Sequence, residues 1–291
     1  MSRIAIVGAG AIGGMIAAWL AQDPQHEVSV CVRSPFRDLV VDTPYGRLTA
    51  QPRVLTRPGE GTPVDWVLVA TKAYHVNETA AWFPQLVHAK TRVAVLQNGV
   101  EHIERFSPFV ARDQILPVVV DCPVKRSAPG QIVQRRDALL TVPDADAGRA
   151  FRELFTRTRI QLVVTDDFLS AAWAKLCLNS VGAVSAVVGQ PSKVIQVPGV
   201  AELMDGIARE CVAVARAEGA RLRHDIVETV LENCRQAPPD SVNSLLADRL
   251  AGRPMEIEAR NGVIVRRGAG HGIPTLFNQA MVALLRAAQA K

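Results

Sequence analysis

The sequence predicts an α/β chain in which a doubly wound parallel sheet is followed by an all-helical domain. Three observations carry this expectation. Apolar, strand-like runs alternate with helical stretches through the first half. A glycine-rich turn joins the first strand to the first helix. Beyond Asp166-Asp167 the pattern becomes almost wholly helical. The 291 residues are enough for two ordinary domains, each with its own core, and the boundary is expected near residue 167, giving domains 1–167 and 168–291.

The elements follow in order. Residues 4–7, Ile-Ala-Ile-Val, form a strand that runs straight into Gly8-Ala9-Gly10-Ala11-Ile12-Gly13, and an apolar helix follows over 15–21. In a GxGxxG turn so placed, Gly8 permits the tight turn and Gly10 lets the backbone approach a pyrophosphate. Gly13 lets the helix pack on the strand with its N-terminal N–H groups facing the phosphates. This spacing points to a dinucleotide. Residues 28–32 supply the second strand and complete a βαβ unit, and Tyr45-Gly46-Arg47-Leu48 suggests a hairpin. The unbroken apolar runs over 65–71, 92–96 and 115–120 suit strands buried on both faces, and the alternation over 130–142 suits antiparallel hairpin strands. Helical patterns then cover 169–188, 200–218, 225–234, 241–250, 256–268 and 277–288. They are separated by Gly and Pro breaks such as Gly189-Gln190-Pro191 and Pro238-Pro239.

Composition narrows the partners. The net charge of +5 and a pI near 9.2 would allow nucleic acid, but the basic residues are dispersed and only 5% of residues are aromatic. A small anionic molecule or a phosphorylated cofactor explains the balance more simply. No apolar run is expected to span a membrane, and no secretory signal is evident. The five cysteines, Cys31, Cys122, Cys177, Cys211 and Cys234, are scattered without a CxxC pair, which suggests reduced thiols, a cytoplasmic location and no metal site.

The second strand ends Val32-Arg33-Ser34, where an NAD site would place an acid, and no acid appears before Asp38. Arg33 has the position and the planar fork to pair with a 2′-phosphate, so the expected cofactor is NADP(H); a solvated strand-end arginine is the alternative. Thr71-Lys72 and Gln97-Asn98-Gly99 fall at the carboxyl ends of buried strands, where open α/β sheets bind ligands, although plain turns would look similar. Lys175 and Asn179 lie one turn apart on one helix face among apolar neighbours, as a cleft pair or as a snorkelling lysine beside a polar residue would. Glu256 and the pair Ser244 and Asp248 are further candidates, with a helix start and an exposed face as the plainer readings.

These residues together resemble the ketopantoate reductase family over nearly the whole chain. The resemblance rests on the glycine turn, Thr71-Lys72, Asn98-Gly99 and the Trp173-x-Lys175-x-x-x-Asn179 helix. It continues through Arg253-Pro254-Met255-Glu256-Ile257-Glu258, Asn261-Gly262 and His271-Gly272-Ile273-Pro274-Thr275. It implies an N-terminal Rossmann domain binding NADP(H), a helical domain for substrate, a cleft between them, and reduction of a 2-oxo acid to a D-2-hydroxy acid. By position it implies Lys175 as the general acid and Glu256 as a carboxylate serving both the lysine and the cofactor. It makes Asn98 a contact to nicotinamide and substrate, Lys72 a cofactor contact, and Asn179 and Ser244 substrate contacts, with Ser244 taking the carboxylate. The family pattern also places a second substrate asparagine one turn after Asn179, where this chain has Ser180-Val181-Gly182-Ala183-Val184. The expected substrate is 2-dehydropantoate, reduced to (R)-pantoate. The alternatives are another branched or aromatic 2-oxo acid, as for a D-2-hydroxyacid dehydrogenase, and more distantly a non-catalytic NADPH-binding protein. A homodimer through apolar helices such as 277–285 is a further expectation.

Overall fold

A computed structural model describes residues 1–290, which fall into two compact units. The first comprises residues 1–97 and 101–168, and the second, among the described residues, 98–100 together with 169–290. The tripeptide Asn98–Val100 follows a strand of the first unit yet groups with the second, Asn98 bonded to Glu256 and Asn179 and Val100 packed against its core.

In the first unit six parallel strands form one sheet. Their order across it is Arg53–Leu55, His26–Cys31, Ser2–Val7, Trp66–Val69, Arg92–Val95 and Ile115–Pro117. In chain order these are the third, second, first, fourth, fifth and sixth strands of the sheet. The winding therefore reverses between Ser2–Val7 and Trp66–Val69, the crevice position at which doubly wound sheets bind ligands. The glycine turn and Thr71-Lys72 follow those two strands. Alternation along Ser2–Val7 sends Ile4 and Ile6 into one core and Ala5 and Val7 into the other, so both faces of the strand are dry. All four residues of Trp66–Val69 are buried, as its apolar run requires.

The remaining strands depart from expectation in their partners. The hairpin at Tyr45 forms, with Leu39–Thr43 antiparallel to Gly46–Ala50. However, residues 130–142 do not make one hairpin. Gln131–Gln134 pairs antiparallel with Val124–Ala128 and parallel with Leu39–Thr43, whereas Leu139–Pro143 joins Gln161–Thr165 and Val119–Asp121 in a separate three-stranded sheet. The run 115–120 likewise divides after Pro117 between two sheets. Pro117 has no N–H for the ladder and ends the edge strand of the main sheet.

The second unit is helical: Phe168–Val181, Ala183–Val188, Val200–Ala217, Ile226–Gln236, Ser244–Leu250, Val263–Gly270 and Leu276–Gln289. One core centred on Trp173, Leu176, Ile207, Leu246 and Val263 ties them together. Two expected helices are each interrupted. The 169–188 pattern breaks at Gly182, and the 256–268 pattern opens into a wide π-helical turn, Glu258–Gly262, before Val263–Gly270. Contrary to the sequence expectation, Phe168–Val188 is long and apolar enough to cross a membrane by length and composition. Its apolarity has another use, since 56% of its 18-residue apolar window is buried inside the protein.

Candidate active site

Around the glycine turn the three glycines meet three different surroundings. Gly8 has φ +98°, and a Cβ there would lie 2.8 Å from the Thr71 methyl carbon and 2.9 Å from the Thr71 amide nitrogen. A Cβ at Gly13 would lie 2.1 Å from the Gly8 carbonyl oxygen and 2.8 Å from the Ala70 Cβ. A Cβ at Gly10 would meet nothing within 4 Å. The helix Ala11–Leu20 starts with no side-chain cap and no acid in its first turn, so its N-terminal N–H groups and dipole are left for an anion. Arg33 is exposed two residues past its strand. It adds a small pull on the Glu78 carboxyl, which is held low chiefly by its own backbone N–H and by His75. An open backbone approach and an uncapped helix start suit a dinucleotide, with an arginine exposed at the neighbouring strand end.

A directed chain of hydrogen bonds fixes the two strand-end loops of this unit. The Gln97 amide donates to Thr71 Oγ1 at 3.0 Å and to the Lys72 carbonyl at 3.2 Å. Thr79 Oγ1 donates to the His75 carbonyl at 2.7 Å, which uses its only proton. Thr71 must therefore be the donor in the 2.7 Å contact between the two threonine hydroxyls. Arg105 donates to Gln97 Oε1 at 3.2 Å, and His102 Nε2 lies 2.9 Å from the Gln97 carbonyl. Burial, aided by the Arg105 charge, pushes His102 down to about 3. The ring is therefore neutral and donates from Nε2. These contacts set the peptide that leads into Asn98. Lys72 itself is half-buried.

In the second unit Asn98 Nδ2 donates to Glu256 Oε2 at 2.9 Å, and Asn179 Nδ2 donates to Asn98 Oδ1 at 3.3 Å. Glu256 is 5% exposed, so this carboxylate is held in a nearly dry site with an amide on it. Lys175 stands one helical turn before Asn179 and is half-buried. Ser244 is exposed, and its Oγ accepts from Arg260 at 2.6 Å. Ala183 and Val184 are buried among apolar side chains, so this stretch offers the site no polar group. Asn243 caps Ser244–Leu250 by accepting from the Leu245 and Leu246 amides, and it also donates to the Gly182 carbonyl at 3.0 Å.

The residues expected from the sequence thus fall into two groups. Gly8, Ala9, Gly10, Ala11, Ile12, Gly13, Arg33 and Lys72 belong to the first unit, and Asn98, Lys175, Asn179, Ser244 and Glu256 to the second. Asn98 is bonded directly to both Asn179 and Glu256; Ser244 is bonded instead to Arg260. Sequence reading missed Arg260, Asn243 and Thr79. Only Arg260 carried a usable signal, its placement four residues after Glu256, where a helix would set it on the same face.

The profile described as Ketopantoate reductase PanE/ApbA matches residues 4–147, and that of its C-terminal part matches residues 167–289. The chain belongs to the ketopantoate reductase family. It is 54% identical to a 2-dehydropantoate 2-reductase of Caulobacter vibrioides, over 99% of both chains. Among solved structures it is similar to a 2-dehydropantoate 2-reductase from Geobacter metallireducens, with 27% identity, a TM-score of 0.91 and coverage of 98% of this chain and 99% of that one. It is also similar to a dimeric ketopantoate reductase from Staphylococcus aureus, with 25% identity, a TM-score of 0.88 and coverage of 99% and 98%. Within the ketopantoate reductase fold, the six-stranded sheet bearing the glycine turn is the Rossmann part and the Trp173-centred unit the helical part.

Proposed function

We propose that this chain is an NADPH-dependent 2-dehydropantoate 2-reductase that forms (R)-pantoate. The observation that carries the reading is the bonded set Asn98, Glu256 and Asn179, with Lys175 one turn away on the same helix. The identity with named 2-dehydropantoate 2-reductases supports it. Gly8 to Gly13 would hold the pyrophosphate, Arg33 the 2′-phosphate, and Lys72, Asn98 and Glu256 would add further contacts. NADPH bound there supplies the hydride.

The protein's own part is binding and proton transfer. Lys175 donates a hydrogen bond to the 2-oxo oxygen, stabilises the negative charge that develops there, and hands over a proton as the carbonyl becomes a hydroxyl. Glu256 holds the Asn98 amide from one side and Asn179 holds it from the other, so this amide is oriented before substrate arrives. Ser244 takes the substrate carboxylate. The boundary near residue 167 is part of this reading, with cofactor binding assigned to 1–167 and substrate chemistry to 168–291. Exposed Leu276, Phe277 and Leu284 offer an apolar face for a homodimer, in keeping with the dimeric Staphylococcus relative. The five free thiols suit a reducing, cytoplasmic setting.

The test is a steady-state panel of 2-oxo acids with NADPH and NADH. The wild type should favour 2-dehydropantoate and NADPH. Lys175→Ala should slow turnover roughly 10²–10⁴-fold, and Arg33→Asp should raise the KM for NADPH far more than for NADH. Turnover of another acid hundreds of times more efficiently would replace the named substrate. An unaltered rate in the lysine variant would remove Lys175 from the mechanism.

A further inference from the structure

We propose that Arg260 is the positioning residue that makes this site select an anionic substrate, by holding the exposed Ser244 hydroxyl with its proton turned outward toward the substrate carboxylate. The inference rests on the reading above, in which Ser244 meets that carboxylate, and it names the group behind the serine.

Arg260 sits on the π-helical turn Glu258–Gly262 and is only 2% exposed. A buried guanidinium is costly unless its charge and its donors are matched. Its matching is incomplete. Nε is buried with no hydrogen-bond partner, and the hydrogen bond that the side chain makes to another side chain goes to Ser244 Oγ, at 2.6 Å. Burial lowers its affinity for the proton, while Glu256 and Asp248 act in the other direction. An arginine stays charged under such conditions. Asp248 is shared, because Arg253 Nε lies 3.0 Å from its Oδ1. A packing position at this depth would be filled at lower cost by Leu or Met, so the retained charge calls for a use.

The hydroxyl inventory supplies that use. A serine has one proton and two acceptor lone pairs. Arg260 occupies an acceptor site of Ser244, so it cannot receive the serine proton. The proton is free to be donated to a group on the exposed side, and the guanidinium behind it strengthens that donation. A carboxylate is the ligand that gains most from a donor backed by a buried positive charge. An ester, a lactone or a primary alcohol in the same place gains little. Glu256 and Asp248 offset part of the cost of burying the arginine, and the deeper Nε stays without a partner. The acid group of the substrate then adds to a site whose donors are already aimed. Ala183 and Val184, buried among apolar side chains, add no donor beside Ser244 and Arg260.

The experiment measures KM and kcat for 2-dehydropantoate, for its uncharged lactone and for NADPH. It uses wild type, Arg260→Met, Arg260→Lys and Ser244→Ala, with melting temperatures alongside. Arg260→Met should raise the KM for the acid about 10–100-fold and lower the preference for acid over lactone by a similar factor, while the KM for NADPH holds. Arg260→Lys should restore part of the preference. Ser244→Ala combined with Arg260→Met should cost little more than either alone, because both act through one contact. If Arg260→Met does not fold, Arg260→Gln, which can still donate to Ser244 without the charge, must lower the preference instead. An unchanged preference in a folded variant overturns the inference, as does a KM for NADPH that climbs in step with that for the acid. Failure of the wild type to reduce 2-dehydropantoate would sink the proposed substrate instead. The same comparison then runs on the acid and methyl ester of whichever 2-oxo acid is turned over.

Discussion

A methyl group added at Gly13 would lie 2.1 Å from the Gly8 carbonyl oxygen, whereas one added at Gly10 would touch nothing. The two glycines of one motif therefore answer to different demands, and substitution should separate them. Gly13→Ala should cost about 1–3 kcal/mol through overpacking, seen as a lower melting temperature without cofactor. Gly10→Ala should leave that temperature in place and weaken NADPH binding roughly tenfold or more, because the methyl fills the space the pyrophosphate backbone contact needs. Calorimetry decides this. A Gly10→Ala protein that bound NADPH like the wild type would remove the turn from the cofactor site. The need for glycine at the turn was legible in the sequence because the lack of a Cβ belongs to the residue itself. The burial of Arg260 was not, since a buried arginine and a solvated one are written with the same letter, and only its surroundings, with Ser244 as partner, tell them apart.

Helices were easier to read than strand partners. Leu276–Gln289 was expected from its apolar period and the Pro274 before it, yet what holds its start comes from another helix. Its N-cap residue, Thr275, makes no side-chain cap. Glu210, on Val200–Ala217, accepts instead from the Phe277 amide at 2.8 Å, the Asn278 amide at 2.9 Å and Asn278 Nδ2 at 2.7 Å. The two helices can close because Gly206 lies under the Phe277 ring, where a Cβ would come within 2.6 Å. Glu210→Ala should cost about 2–4 kcal/mol, the scale of a lost cap that carries charge-assisted bonds, and Glu210→Gln distinctly less. Urea unfolding would show this, and a loss below about 0.5 kcal/mol would mean the cap is idle. Periodicity could not announce such a cap, nor the π-helical turn at Glu258–Gly262, because both leave the spacing of apolar residues nearly intact. The strands over 119–143 went to unexpected sheets for a related reason. Alternation says that a segment is extended, and the choice of neighbour is made by residues distant in the chain, here Leu39–Thr43 and Gln161–Thr165.

For the molecule as a whole, the doubly wound order and the helical second half were legible, because each strand and helix carries its own period and its own Gly or Pro punctuation. Stability against acid belongs to this scale. His102, buried and pushed down to about 3, stays neutral in the folded protein, while in the unfolded chain it takes a proton near pH 6.5. The unfolded state binds more protons between those values. The His102 contribution is therefore complete above pH 6.5 and is lost as pH falls, by up to about 1.4 kcal/mol per pH unit. Unfolding free energies at pH 6.5 and 4.5 should fall about 2–3 kcal/mol further for wild type than for His102→Gln; equal falls would show that the ring is not held neutral. The tripeptide Asn98–Val100 has a consequence for recombination. Its asparagine completes Glu256 and Asn179, although it is encoded seventy residues before the helical half begins. A chimera of two relatives joined near residue 167 would pair an asparagine loop from one parent with the helices of the other. Crossover designs that keep both parents' chemistry must carry residues 98–100 along with the second half, as a non-contiguous inheritance unit.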